Sequence, residues 1–295
     1  MGRIAVGEAI GAGFRLIGRQ PLLFLAWCAI YFAVTIVPTL FGWSDTAAYY
    51  GRLGAGTPVT APSLQRAFGA WEWLSFAVSL VVMVCLPTAV MRAVLHPEER
   101  QFFYLRLGAR ELWFALALLV LTLLWVAGYA ALMLTLGIVS IVGGLAGTGG
   151  VLMVGVIAIL LIPATIVLSV WIWTRLSMAA TMTFAENRLR VFASWRFTKG
   201  HAWRIFLVAL GLFVLTMIVL VVIFGGALAA LAGAAGAGGF TAPGFFTQVS
   251  QAPLPILLAY SATMSLLLVG MTVLGSASWA EMYRQLRPQL ADTFA

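Results

Sequence analysis

The sequence predicts an all-α, polytopic membrane protein. Six transmembrane helices form three helical hairpin repeats, each introduced by a short helix at the cytoplasmic interface. Three observations carry this. Of 295 residues, 63% are hydrophobic and only 9% charged, against about 25% charged in soluble domains. The apolar residues gather into six unbroken runs of the length that crosses about 30 Å of hydrocarbon. An apolar-Arg-apolar triplet precedes the first, third and fifth runs, centred on Arg15, Arg106 and Arg196. Such a composition cannot cover a soluble surface, which excludes an ordinary cytosolic enzyme, a disordered chain and a secreted disulfide scaffold.

The expected spans are residues 22–42, 73–95, 112–138, 151–174, 205–231 and 254–280. Their interiors carry no Asp, Glu, Lys, Arg or His, and Arg92 stands at the end of the second. Helices are the economical structure, because in lipid each segment must satisfy its own backbone groups. An outer-membrane barrel would alternate apolar and polar residues in segments of about 10, and these runs do not. The first span is too long for a signal-peptide core, lacks a small-residue cleavage site after it, and is expected to stay. Pro38, Pro87 and Pro163 fall within spans one, two and four, where each removes a backbone donor. The small residues around Gly225 and Gly226 permit close helix packing. Cys28 and Cys85 lie in apolar runs and read as small buried hydrophobes.

Charge sets the orientation. Fifteen of the 17 Lys and Arg lie in the N-terminus, at Arg92 with the 96–111 link, in the 175–204 link and in the C-terminal tail. Only Arg52 and Arg66 fall among the 43–72, 139–150 and 232–253 connections. The positive-inside rule then places residues 1, 100, 190 and 295 in the cytoplasm, and 55 and 245 outside. Six crossings agree with both termini on one side. The net charge of +8 is thereby explained by orientation and anionic headgroups, without nucleic acid.

The repeat is legible in the links. Leu105-Arg106-Leu107-Gly108 precedes Trp113 and a span, and Trp195-Arg196-Phe197-Thr198 precedes Trp203 and a span. Phe14-Arg15-Leu16 supplies a third copy. The whole chain, 1–295, is read as a single transmembrane domain with repeats 1–95, 96–185 and 186–295. Within 99–113, Phe102, Leu105, Ala109 and Leu112 would share one helical face, with Arg106 and Arg110 on another. Such a helix lies in the interface as an anchor, or binds headgroups through its guanidiniums. Candidate headgroup or interface contacts are Arg15, Arg106, Arg110, Arg196, Lys199, Arg204, Trp195 and Trp203. The partners expected are membrane lipids with anionic headgroups on the cytoplasmic side.

No catalytic or metal residue and no cofactor is expected. No G-x-S-x-G, Walker A or H-E-x-x-H pattern occurs. His96-Pro97-Glu98-Glu99 sets an imidazole beside two carboxylates. Its preferred reading is a helix start, with Pro97 in the first turn and the two glutamates complementing the N-terminal dipole. The function expected is a non-enzymatic membrane protein in envelope or lipid homeostasis, or a partner scaffold. A carrier or flippase for lipid-like or apolar solutes is the alternative, suggested by the proline-interrupted spans.

The segment Ala193-Ser194-Trp195-Arg196-Phe197-Thr198-Lys199-Gly200-His201-Ala202-Trp203-Arg204 resembles a motif of bacterial six-span proteins. These are grouped with the membrane domain of glycerophosphoryl diester phosphodiesterases. Arg175 at a span end, the apolar stretch after it and Glu186 fit the same pattern. Tyr283-Arg284-Gln285-Leu286-Arg287 resembles the family's final Tyr-x-x-Leu-Arg element, and Phe14-Arg15-Leu16 its beginning. A proline common after the fourth span is replaced by Ala179-Ala180-Thr181-Met182. The resemblance implies a membrane module of the bacterial inner membrane. It does not imply the phosphodiesterase, whose activity belongs to a separate soluble barrel with a His-Arg-Gly start that this sequence lacks.

Overall fold

The computed structural model describes residues 5–57, 69–235 and 254–294, and among these no strand occurs. The helices are α1 (Val6–Arg19), α2 (Pro21–Gly54), α3 (Ala70–Leu95), α4 (Ala109–Leu145), α5 (Gly147–Leu176), α6 (Ala179–Glu186), α7 (Ala193–Phe197), α8 (Ala202–Ala235) and α9 (Leu254–Phe294). A 3-10 turn, Gln101–Tyr104, lies between α3 and α4. Among the described residues five helices are long and apolar enough to cross a membrane, and a sixth candidate is the pair α1 and α2, bent by 91°. The bend sits at Gln20, which precedes Pro21 and is pushed out of the α region by the proline ring. Pro21 itself suits the first turn of α2, where no donor is needed.

The helices outrun the apolar segments that announced them. Helix α2 continues to Gly54, into what reads from sequence as a loop starting at 43. Hydropathy marks only the length that suits hydrocarbon, whereas Ala, Tyr and Leu after it sustain a helix equally well. The expected 139–150 turn is also mostly helix, since only Ala146 separates α4 from α5. Gly147, at φ +71°, supplies the left-handed step that reverses the chain there. Pro87 and Pro163 lie inside α3 and α5, leaving the carbonyls of Met83 and Ile159 without their helical donors. Arg3, Arg66, Pro38's side chain and the 236–253 stretch fall outside the described set.

The chain divides into two compact units. One comprises Gly7–Arg106 and Val208–Glu281. Its core joins Ala12 of α1, Trp27 and Cys28 of α2, Leu86, Ala89, Val90 and Ala93 of α3, and Val269, Val273 and Ala277 of α9. The α3 residues recur at three- and four-residue intervals, one face of a helix. At Gly13 a Cβ would sit 2.7 Å from the Cα of Leu274, so α1 and α9 touch backbone to backbone there.

In this unit the 96–108 link departs from expectation. It is no interfacial helix, and Pro97 starts none: Glu99 N–H bonds the His96 carbonyl at 3.1 Å, closing a turn. Phe102, Phe103 and Tyr104 follow in left-handed conformation, at φ 50°, 56° and 64°. Three such residues in a row cost about 1–3 kcal/mol each and need outside support. Buried side chains supply it. Trp27 Nε1 donates to the Phe103 carbonyl at 2.9 Å, and Arg92 Nη1 to the Tyr104 carbonyl at 2.7 Å. Arg92 Nε also lies 3.3 Å from Glu99, and Tyr104 packs its ring into the core while its hydroxyl donates to the Pro97 carbonyl. The short helix expected around Arg106 is therefore absent, and Arg106 stands on irregular chain. Tertiary capture of two carbonyls outweighs the helical pattern of 99–113.

The other unit comprises Met1–Val6, Leu107–Leu207 and Met282–Ala295. Helices α4 and α5 form its hairpin. A Cβ on Gly150 would meet the Gly143 carbonyl, and one on Gly143 the Val154 side chain. Close approach at the turn thus depends on both glycines. Ala117 of α4, Leu176, Ala179 and Val191 make a second small core. Elsewhere the hairpin shows its apolar surface: little of α4's most apolar stretch, and none of α5's, is buried within the protein.

Two stability predictions follow from these contacts. Gly150→Ala should destabilise by about 1–3 kcal/mol, the cost of overpacking. Gly144→Ala, with open space around it, should be neutral or stabilise by up to about 1 kcal/mol. Thermal unfolding in one detergent compares them, and equal melting temperatures would contradict the close approach. Arg92→Leu should cost about 2–3 kcal/mol, less than for a sealed ion pair because Glu99 keeps contact with water. It should also raise proteolysis within 96–108, whereas Arg15→Gln on the exposed face of α1 should leave both readouts unchanged.

Candidate functional site

The basic and aromatic residues singled out from sequence gather unevenly. Arg110, Trp195, Arg196, Lys199, Trp203 and Arg204 belong to the unit containing α4 to α7, and Arg15 and Arg106 to the other. Arg15 turns back along its own helix and donates to the Glu8 carbonyl at 2.7 Å. Arg106 is exposed, and Arg110 lies half-buried in the first turn of α4. In that first turn the Glu111 carboxylate accepts the Gly108 N–H at 3.0 Å, capping the helix from inside. The 175–204 segment holds the densest cationic group: Arg175, Arg188, Arg190, Arg196, Lys199 and Arg204 against the single acid Glu186.

Short-range chemistry explains how that segment folds. Asn187, at φ 53°, ends α6 in the left-handed region that asparagine tolerates. Thr183 receives the returning chain: its carbonyl accepts Arg188 N–H and its Oγ1 accepts Arg190 N–H. Glu186 and Arg190 pair at 2.9 Å, one turn apart. Helix α7 then lies against the end of α5. Ser194, fully buried, donates its hydroxyl to the Arg175 carbonyl at 2.8 Å, and the buried Thr198 hydroxyl lies 3.4 Å from the same oxygen. Those bonds occupy an end carbonyl of α5 that its own helix leaves without a donor. Phe197 stacks on Tyr283 with ring centroids 5.9 Å apart.

Arg175 sits at the centre of this arrangement and was missed as a site residue from sequence. Its guanidinium lies 5.8 Å from the Trp171 ring centroid and 5.9 Å from that of Trp195. The two indoles meet edge to face at 4.9 Å. The signal was present as Trp171 and Arg175, four residues apart at a helix end, a spacing that stacks cation on ring. Arg196 and Lys199 are exposed, Arg204 is half-buried, and Trp203 is largely exposed beside Phe206 at 5.4 Å. The segment therefore presents guanidiniums, an ammonium and indoles, groups that suit a phosphate-bearing interface.

A second cluster joins His96, Glu98 and Glu99, whose ligand atoms lie within 4.8 Å of one another. His96 Nδ1 is 3.3 Å from Glu98. Glu99, however, already faces the Arg92 guanidinium at 3.3 Å. A cation placed among the three would meet that fixed positive charge, so the donor set suits the turn better than a metal ion. No protein family, curated protein or solved structure matches the chain.

Proposed function

We propose that this chain is a non-enzymatic, multi-pass protein of the bacterial inner membrane, a membrane module similar to that of the glycerophosphoryl diester phosphodiesterases. It crosses six times with both termini in the cytoplasm, and its basic, aromatic links hold anionic phospholipid headgroups. Its role lies in lipid or envelope homeostasis, or in scaffolding a partner there.

The observation that carries this reading is the partition of charge along the sequence: fifteen Lys and Arg in one set of links and tails and two in the alternate set. Long apolar helices with exposed surface support it, because acyl chains are the solvent such surfaces require. The arginine and tryptophan content of 171–204 supports the headgroup role, since both residue types favour the headgroup level. A non-enzymatic role is supported by the pairing of Glu99 with Arg92, which occupies one carboxylate of the His96 cluster.

Cysteine accessibility tests the topology. In a background with Cys28 and Cys85 replaced by Ala, Ala55→Cys should react with a membrane-impermeant maleimide once the outer membrane alone is opened. Lys199→Cys should react only after the inner membrane is opened as well. The reverse pattern would invert the orientation, and labelling of both at the first step would remove the six-span topology.

A further inference from the structure

We propose that Arg175 is the anchoring contact for a phosphate oxyanion, supplied by an anionic phospholipid headgroup. The inference deepens the headgroup reading above and rests on it. Arg175 occupies the last turn of α5, directly after the apolar 151–174 run. In a membrane that position is the hydrocarbon boundary, the depth of lipid phosphates. Its place is fixed twice. Ser194 and Thr198 hold its carbonyl, and the rings of Trp171 and Trp195 hold its guanidinium. A guanidinium fixed in this way has lost most of its rotamer freedom before any ligand arrives, so an incoming oxyanion meets a prepared fork.

What the fork lacks is an anion. Among the described residues Arg175 has no carboxylate partner and no side-chain hydrogen bond, and its Nε is sealed from the surface without an acceptor. The indole faces stabilise the cation but accept no N–H bond in its plane. The residue as a whole is only half-buried, so the guanidinium is not closed off on every side. Glu186, the one acid in the 175–204 segment, is engaged by Arg190. His201, which follows Gly200 at φ 84°, also has a buried ring nitrogen, Nδ1, without a partner. Its backbone N–H bonds the carbonyl of Thr198, the residue whose hydroxyl faces the Arg175 carbonyl. The same short segment thus carries two buried nitrogens that the protein leaves unsatisfied. Phosphate suits such a place, because its several oxygens accept bidentate Arg bonds and still tolerate neighbouring cations.

Binding to the full chain in a neutral detergent tests this. The probes are dihexanoyl phosphatidylglycerol, dihexanoylglycerol without phosphate, and inorganic phosphate. Wild type should prefer phosphatidylglycerol over dihexanoylglycerol, and Arg175→Gln should weaken it about tenfold, the effect of losing one charge-assisted contact. Arg175→Lys should recover only part, because an ammonium lacks the planar fork. Arg190→Gln removes the same unit of charge and should change affinity less than about twofold. Should Arg175→Gln fold poorly, Trp195→Leu keeps the charge and removes one ring face, with an expected loss of roughly threefold. Equal effects of Arg175→Gln and Arg190→Gln would overturn the site. In that case a triple Arg196, Lys199 and Arg204 to Gln variant that weakens binding would leave the wider headgroup reading standing. No preference for phosphatidylglycerol in wild type would sink both. Inorganic phosphate binding as tightly as the lipid would keep the oxyanion site and assign it to free phosphate.

Discussion

Unsatisfied backbone groups constrain this molecule more than any other factor. A chain with 63% hydrophobic residues cannot bond its amides and carbonyls to water along most of its length, so they must bond to each other. Long helices are the consequence, and their apolar sides need no interior to face. Leu134, Ile159 and Val167 stand largely exposed on α4 and α5, an arrangement that would aggregate in water but matches acyl chains. Because lipid is as apolar as leucine, such helices gain little from burying leucine against leucine. Association therefore falls to close backbone contact, as at Gly13 against Leu274 and at Gly143 against Gly150.

The same constraint acts at the helix ends, where carbonyls lose their helical donors. Buried side chains replace those donors at two places. Trp27 and Arg92 serve Phe103 and Tyr104, while Ser194 and Thr198 serve Arg175. The first set comes from two helices, α2 and α3, and the second from the segment around α7; each captures chain outside its own element. These bonds act together with buried apolar side chains of the links themselves, such as Tyr104, Phe184 and Val191. A net gain of about 1 kcal/mol per hydrogen bond understates such bonds, because an orphaned buried carbonyl costs more than that.

Legibility from sequence follows from which forces are local. The apolar helices were readable because hydrophobic run length is a property of each segment alone. Their ends were not, since Asp45 to Gly54 continue α2 without any hydropathy signal. The helix expected over 99–113 failed for a different reason. Phe102, Leu105, Ala109 and Leu112 do have helical spacing, but Arg92 of the preceding helix captures the Tyr104 carbonyl and Trp27, 76 residues away, captures that of Phe103. No short window of sequence contains the second of these partners. The basic candidates were visible as residue types, and only the fold separates Arg15, bonded along its own helix, from those of the 175–204 segment. Half of the Arg175 site, Trp171 four residues before it, was local, whereas Trp195 comes from twenty residues after and only the fold brings it there.

Arg92 and Arg175 show how one residue type in one kind of place is put to two uses. Each lies in the last turn of an apolar helix, where the negative end of the dipole favours a cation. Arg92 is almost completely buried, faces Glu99 and donates to the Tyr104 carbonyl. Its charge is neutralised within the protein, and its work is to shape the link. Arg175 is only half-buried and is bounded by two indoles in place of an acid. Cation–π contact contributes about 1–2 kcal/mol when partly desolvated, enough to orient a guanidinium and too little to neutralise it. Lysine would serve less well at either position, since its point charge lacks the plane that lies along an indole and the second edge that reaches a carbonyl. Sixteen arginines against the single Lys199 are consistent with that demand recurring along the chain. The difference between the two sites is where the countercharge comes from: Glu99 brings it from within the fold, while Arg175 leaves its place open to an anion from outside.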